Sequence, residues 1–94
     1  MSAVQDIHHE VERHRFVIAV DGQEAGFAAY RDREGVRDFN HTVVDPAFRG
    51  RGLSSPLIAA ALDATRAQGL RVRPSCSAVA HFVSKHPEYA DLVA

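Results

Sequence analysis

The sequence is short of several things at once. It holds a single cysteine, Cys76, in 94 residues, so no internal disulfide can form and nothing in it asks for an oxidising compartment. No apolar run approaches the roughly 20 residues that a membrane-spanning helix needs. The opening MSAVQDIHHEVERH lacks the apolar stretch of a secretory leader. Charge of one sign is not in excess: eleven Lys and Arg against twelve Asp and Glu leave a formal net charge of −1. Nucleic-acid-binding domains carry a basic surplus that recruits phosphates, so that class of partner is not expected. Internal repeats, low-complexity tracts and linker-like segments are missing as well. These absences lead us to expect one domain over residues 1–94, cytoplasmic, with no membrane or nucleic-acid partner, as a monomer or small homo-oligomer.

What is present is the make-up of a folded domain. Hydrophobic residues at 46% and charged residues at 24% are near the averages for globular proteins and exclude wholesale disorder. Six histidines are many for this length, and protonating all of them carries the formal charge from −1 to +5. Solubility should therefore change through the histidine titration range.

The N-terminal half alternates with period two. Phe16, Ile18 and Val20 share one face of FVIAV, and the Asp21-Gly22 pair after it is a strong hairpin signal. EAGFAAY reads as the return strand and RDREG as a polar turn closed by Gly35. VRDFNHTVV then reads as a long strand with Phe39, His41 and Val43 on one face and Asn40, Thr42 and Val44 on the other. AVQDIHHEV is a weaker strand candidate, so an antiparallel meander is predicted over residues 4–44. Asp45-Pro46 breaks the last strand, because proline lacks the ladder donor. LSSPLIAAALDATRAQG is the clearest helix, with Leu53, Leu57, Ala61 and Ala64 in a stripe widened by Ile58 and Leu62. Pro56 is tolerated in its first turn and Gly69 stops it. LRVRP is a short strand. SCSAVAHFVSKHP gives a second helix, N-capped by Ser75 or Ser77 and closed by Pro87. The pattern is an α/β (α+β) domain: a β-meander followed by α-β-α.

The segment Arg49-Gly50-Arg51-Gly52-Leu53-Ser54-Ser55 carries the most chemistry. It joins a strand end to a helix start, where first-turn amides are unpaired and the helix dipole favours an anion. Gly50 and Gly52 let backbone amides approach phosphate oxygens, Arg49 and Arg51 add positive charge, and Ser54 and Ser55 add hydroxyls. The string is neither a Walker loop nor GxGxxG. A glycine-rich turn before an ordinary helix, with two solvated arginines, is the competing reading.

Placed between a long strand and a helix after a meander, the R-x-x-G-x-[G/A] string resembles that of the GNAT superfamily of acyl-CoA-dependent N-acetyltransferases. Residues 40–93 resemble more specifically its small, truncated branch, through the HT-V strand end, the RGRGL loop, the cysteine after the next strand and the HPEY ending. Ser54 departs from the motif, which has Gly or Ala there. The resemblance implies a GNAT-like fold with a splayed pair of parallel strands, the second of them at residues 70–73. It implies acetyl-CoA as co-substrate, with its pyrophosphate on the amides of residues 49–55 and its pantetheine arm paired with the backbone of Val43 and Val44. No metal is implied. Lys85 is a further phosphate contact candidate, read more simply as a solvated lysine.

Many superfamily members carry a tyrosine on the last helix as proton donor. Aligning that pattern over CSAVAHFVSK puts Val83 at the tyrosine and Cys76 at an asparagine, so the usual acid is missing. Cys76, at a helix start that lowers a thiol pKa, is the substitute, either accepting the acyl group or protonating the leaving thiolate; its alternative is a small buried hydrophobe. His41, two residues before Val43, matches a histidine of the truncated branch and is the candidate base; its alternative is a satisfied core histidine. His8 and His9 would point to opposite strand faces and complete no metal set. The expected function is N-acetyl transfer from acetyl-CoA to an amine that the sequence does not identify; an open acceptor side would suit a protein or peptide amine, or a site completed by a partner subunit. A non-catalytic CoA or acyl-CoA module and thioester hydrolysis through Cys76 are the alternatives.

Overall fold

Five strands and two helices follow one another in the order the periodicities predict. The computed structural model describes residues 4–94, with β1 Gln5–Glu10, β2 Arg15–Val20, β3 Gln23–Arg33, β4 Val36–Val44, α1 Ser54–Ala67, β5 Arg71–Arg73 and α2 Ser77–Lys85. The strands form one sheet in sequence order. β1 to β4 run antiparallel and β5 joins β4 in parallel, so the α1 crossover sits where a parallel connection requires one. Two tight hairpins build the meander. Asp21 and Gly22 (φ 50° and 81°) and Glu34 and Gly35 (φ 53° and 79°) are left-handed at both central positions, as the favoured two-residue turn demands.

Both helices pack on one face of the sheet. Phe16, Ile18, Tyr30 and Phe39 from the strands meet Leu57, Ile58, Ala61 and Leu62 of α1, Val79 and Phe82 of α2, and Tyr89 and Leu92 of a closing 3-10 segment, Pro87–Leu92. Beyond it the Ala94 amide donates to the Val72 carbonyl at 2.8 Å and ties the last residues to β5.

A bulge corrects the expected facing of β4. Tyr30 opposes Phe39 while Ala29 opposes His41, which leaves Asn40 as an extra residue. One inserted residue reverses every side chain after it. Phe39 therefore shares the core face with Thr42 and Val44, and His41 and Val43 project from the opposite face, where the His41 ring meets Phe27 edge-on at 5.9 Å.

The core face also contains a charge. Arg37 is 3% exposed and makes a two-pronged pair with Asp32 at 2.8 and 2.9 Å. Its guanidinium lies 4.1 Å from the centre of the Tyr30 ring. Full pairing is what makes a buried guanidinium tolerable. His9 and His8 do take opposite faces of β1: the His9 ring stacks on Phe16 and its Nε2 meets the Tyr30 hydroxyl, while His8 lies near Asp6. Among the described residues no group of three or more metal-ligating side chains converges.

Candidate active site at the open edge of β4

β4 is nine residues long, but β5 covers only its first third, pairing Val36–Asp38 with Arg71–Arg73. Pro74 follows β5, and the chain is pinned once more when the Cys76 amide donates to the Phe39 carbonyl at 2.8 Å. It then turns away as α2. From Asn40 to Val44 the far edge of β4 has no strand partner among the described residues.

Main-chain direction along that edge follows from one bond. The Asp45 amide donates to the Ala25 carbonyl at 2.7 Å. Antiparallel alternation then turns the backbone groups of Val43 and His41 towards β3, and those of Val44 and Thr42 towards the opening. Of the two valines expected there, only Val44 presents its backbone to the opening. Gly26 lies opposite Val44, and any Cβ on it would come within 2.6 Å of the Val43 carbonyl oxygen.

At the C-terminal end of β4, Asp45 accepts from the Ala47 amide at 2.9 Å and starts the short turn Pro46–Phe48. Buried Phe48 and Leu53 anchor the two ends of the Arg49–Gly52 loop. Gly50 and Gly52 both have left-handed φ, 82° and 67°, and a Cβ on either would meet nothing within 4 Å. The glycines are therefore required by backbone conformation, and the space in front of them is open. α1 begins at Ser54 behind Leu53, which has no side-chain oxygen to cap it. The amides from Gly50 to Ser55 find no acceptor among the described residues. Arg49 is exposed, and the Arg51 guanidinium lies over the Phe48 ring at 5.1 Å. Unpaired amides, a helix N-terminus and two guanidiniums without carboxylate partners among the described residues form a donor set suited to a phosphate-bearing group.

Cys76 sits where β4 and the chain after β5 part. It is itself the N-cap residue of α2, not Ser75 or Ser77, because its amide bond to Phe39 fixes the last extended residue. Its thiol reaches Thr42 Oγ1 at 3.4 Å. Burial pushes the Cys76 thiol up, but the Thr42 hydroxyl and the nearby amides of Val79, Ala78 and Thr42 outweigh it and hold the pKa below that of a free cysteine. The Val79 and Ala78 amides act through proximity, since no side-chain cap hydrogen bond forms. His41 is exposed on the other face of β4, so the two residues do not touch: they flank the same strand from opposite sides.

Sequence comparison places the chain in a family. Residues 15–92 match the family of GCN5-related N-acetyltransferases. The chain belongs to that family. Among the relatives of this small GCN5-related protein, Protein NATD1 of Bos taurus is 31% identical over 83 residues, covering 86% of this chain and 74% of the relative. The human protein of the same name is 29% identical over the same length. The solution structure of a GCN5-like candidate N-acetyltransferase from Staphylococcus aureus superposes with a TM-score of 0.73 over 95% of this chain and 87% of that one, at 23% identity. Crystalline Ard1 from Thermoplasma volcanium gives a TM-score of 0.61 at 25% identity, covering 82% of this chain and 56% of the larger protein. The α+β GNAT-like fold is thus the fold of this chain.

Within this GNAT-like frame, Thr42 is the site residue that sequence reading missed. Only the bulge at Asn40 turns it towards Cys76. Tyr89 is a packing residue: its hydroxyl donates to Asp63 of α1 at 2.8 Å, and burial together with that carboxylate pushes its pKa up to about 12. Lys85 ends α2, at the opposite end from Cys76.

Proposed function

We propose that this protein transfers an acetyl group from acetyl-CoA to an amine. The observation that carries this reading is a thiol, Cys76, held against the Thr42 hydroxyl at the apex of a strand edge that is unpaired among the described residues and whose other end meets an uncapped Arg-Gly loop. The amides of residues 50–55 with Arg49 and Arg51 would hold the diphosphate. Val44 and Thr42 would offer backbone groups to the amide-bearing arm along the open edge, as a short added strand does. Acetyl-CoA supplies the activated acetyl group as a thioester.

The opposite-face placement of His41 and Cys76 suits a division of labour. His41 takes the proton from the acceptor nitrogen as the N–C bond forms. Cys76 gives its proton to the departing sulfur as the C–S bond breaks, with Thr42 supporting the thiolate left behind. Exchange with solvent then returns a proton to Cys76 and removes one from His41. No histidine hydrogen-bonds the Cys76 thiol among the described residues, which favours this proton-donor role over acyl acceptance, for which an adjacent base is the usual activator.

The test is CoA release and N-acetyl product formation across a panel of amines. Cys76→Ala should lower kcat by about 10²-fold or more, in the range of positioned acid–base groups, without acetylated Cys76 in the intact mass of the wild type. CoA release without any amine would point instead to hydrolysis, and acetyl-CoA binding without turnover to a binding module.

A further inference from the structure

A sizeable groove lies away from the glycine loop. It lies on the His41 face of the sheet, has a volume of about 640 Å³, and is lined by Arg31, Asp32, Arg33, Glu34, Val36, Asp38 and Arg73. The register explains its composition. Arg31 of β3 and Arg73 of β5 both stand opposite Asp38 of β4, so three strands lay a cation, an anion and a cation side by side on one face. Arg33, opposite Val36, adds a third guanidinium on the same face.

These groups do not neutralise one another. None of the three arginines comes within salt-bridge distance of Asp38, and Asp38 Oδ1 is shielded from solvent yet has no hydrogen-bond partner among the described residues. Asp32, at the rim, is taken up by Arg37 through both carboxylate oxygens. A shielded carboxylate oxygen without a donor costs free energy unless something supplies that donor. With Asp32 neutralised by Arg37, the three guanidiniums outnumber Asp38 and the exposed Glu34, and this excess of positive charge repels a simple cation and favours an anionic group.

Position ties the groove to the reaction. Because Asn40 is the bulged residue, Asp38 and His41 are successive side chains on this face, about 7 Å apart along the strand by ordinary strand rise. Arg73 is three residues before Cys76, whose amide is fixed to Phe39. The groove thus approaches the apex of the opening from the end opposite the Arg-Gly loop, and its volume is within the range of small-molecule sites.

We infer that this groove is the acceptor subsite and that the acceptor is a small amine bearing a carboxylate or phosphate group. This rests on the acetyl-transfer reading. Asp38 receives an N–H of the amine beside His41, and Arg31, Arg33 and Arg73 hold the anionic end. Polyamines and uncharged amines lack the second contact.

Two readouts test it, one of them independent of turnover. The first compares acetylation of O-phosphoethanolamine and β-alanine with that of ethanolamine and putrescine. The expected result is a kcat/KM at least tenfold higher for an anionic amine, with the better of the two identifying phosphate or carboxylate. The Arg31→Gln, Arg73→Gln double variant, altered only at exposed side chains, should collapse that preference. Ethanolamine or putrescine preferred, or a preference untouched by the double variant, overturns the inference. The second follows backbone amide NMR shifts as O-phosphoethanolamine or β-alanine is added. Shifts centred on Asp38 and Arg73, lost in the double variant, support the groove even if no amine is acetylated, in which case only the acetyl-transfer reading fails. No response from either ligand at millimolar concentration overturns the groove itself.

Discussion

The Cys76 sulfur lies 3.4 Å from the hydroxyl of Thr42, the β4 residue that the Asn40 bulge turns to the helix side of the sheet. The contact joins the first turn of α2 to the unpaired edge of β4, two elements 34 residues apart in the chain. It also helps to lower the thiol pKa, since burial alone would raise it and the Thr42 hydroxyl is the first of the groups that oppose burial.

Removing that hydroxyl should therefore move the thiol upwards. Thr42→Val leaves a β-branched residue suited to a strand but deletes the partner that favours thiolate, so the alkylation rate of Cys76 at neutral pH should fall several-fold. The inflection of rate against pH should shift to higher pH, and Thr42→Ser should restore it. An unchanged profile in Thr42→Val would show that the α2 amides alone hold the thiol.

Gly26 lies opposite Val44 where β3 leaves no room for a side chain against β4. Its φ is not left-handed, so the cost of Gly26→Ala comes from the Cβ placed 2.6 Å from the Val43 carbonyl oxygen, a backbone atom that cannot swing away. Destabilisation of about 2 kcal/mol is expected, which for a domain of this size lowers Tm by roughly 8–16 °C. Thermal unfolding followed by circular dichroism measures it. A Tm within a degree or two of wild type would mean that the strands separate at little cost.

The pair between Asp32 and Arg37 should make stability depend on acid pH. Arg37, through its hydrogen bonds, holds the Asp32 carboxyl below its usual range. A group depressed on folding contributes stability that is present above its unfolded pKa of about 3.9 and is lost as pH falls through the folded value. Asp32→Asn should thus cost about 1–2 kcal/mol at pH 7, the half-exposed carboxylate being partly screened. The difference from wild type should shrink towards strongly acid pH. Urea unfolding at both pH values checks the sign, and a constant difference would assign the loss to something other than this charge.

Much of this was legible in the letters, and what was not has a physical cause. The Asp21-Gly22 turn, the breaks at Asp45-Pro46 and Pro74, and the Leu53–Ala64 stripe are local signals, and each element they mark is found where the pattern places it. The facing of His41, Thr42 and Val43 is not local. The string FNHTVV alternates without interruption, and only the pairing of Tyr30 with Phe39 and of Ala29 with His41 shows that Asn40 is extra. The same bulge separates His41 from Cys76 and sets Asp38 and His41 next to each other on one face. The N-cap of α2 was hidden for a similar reason: serines flank Cys76, but the bond to the Phe39 carbonyl belongs to the tertiary fold.

The measurement that bears most directly on the central claim is calorimetric titration with acetyl-CoA of the wild type and of Gly52→Val. Gly52 has φ 67° with open space around it, so a β-branched residue there disturbs the loop conformation while touching no core side chain. Circular dichroism confirms that the variant is folded. A dissociation constant on the order of micromolar for the wild type, weakened at least tenfold in the variant, a loss of about 1.4 kcal/mol or more, is the result expected. Absence of binding up to millimolar acetyl-CoA, or equal affinity in the two proteins, would contradict the assignment of the Arg49–Ser55 loop as the diphosphate site.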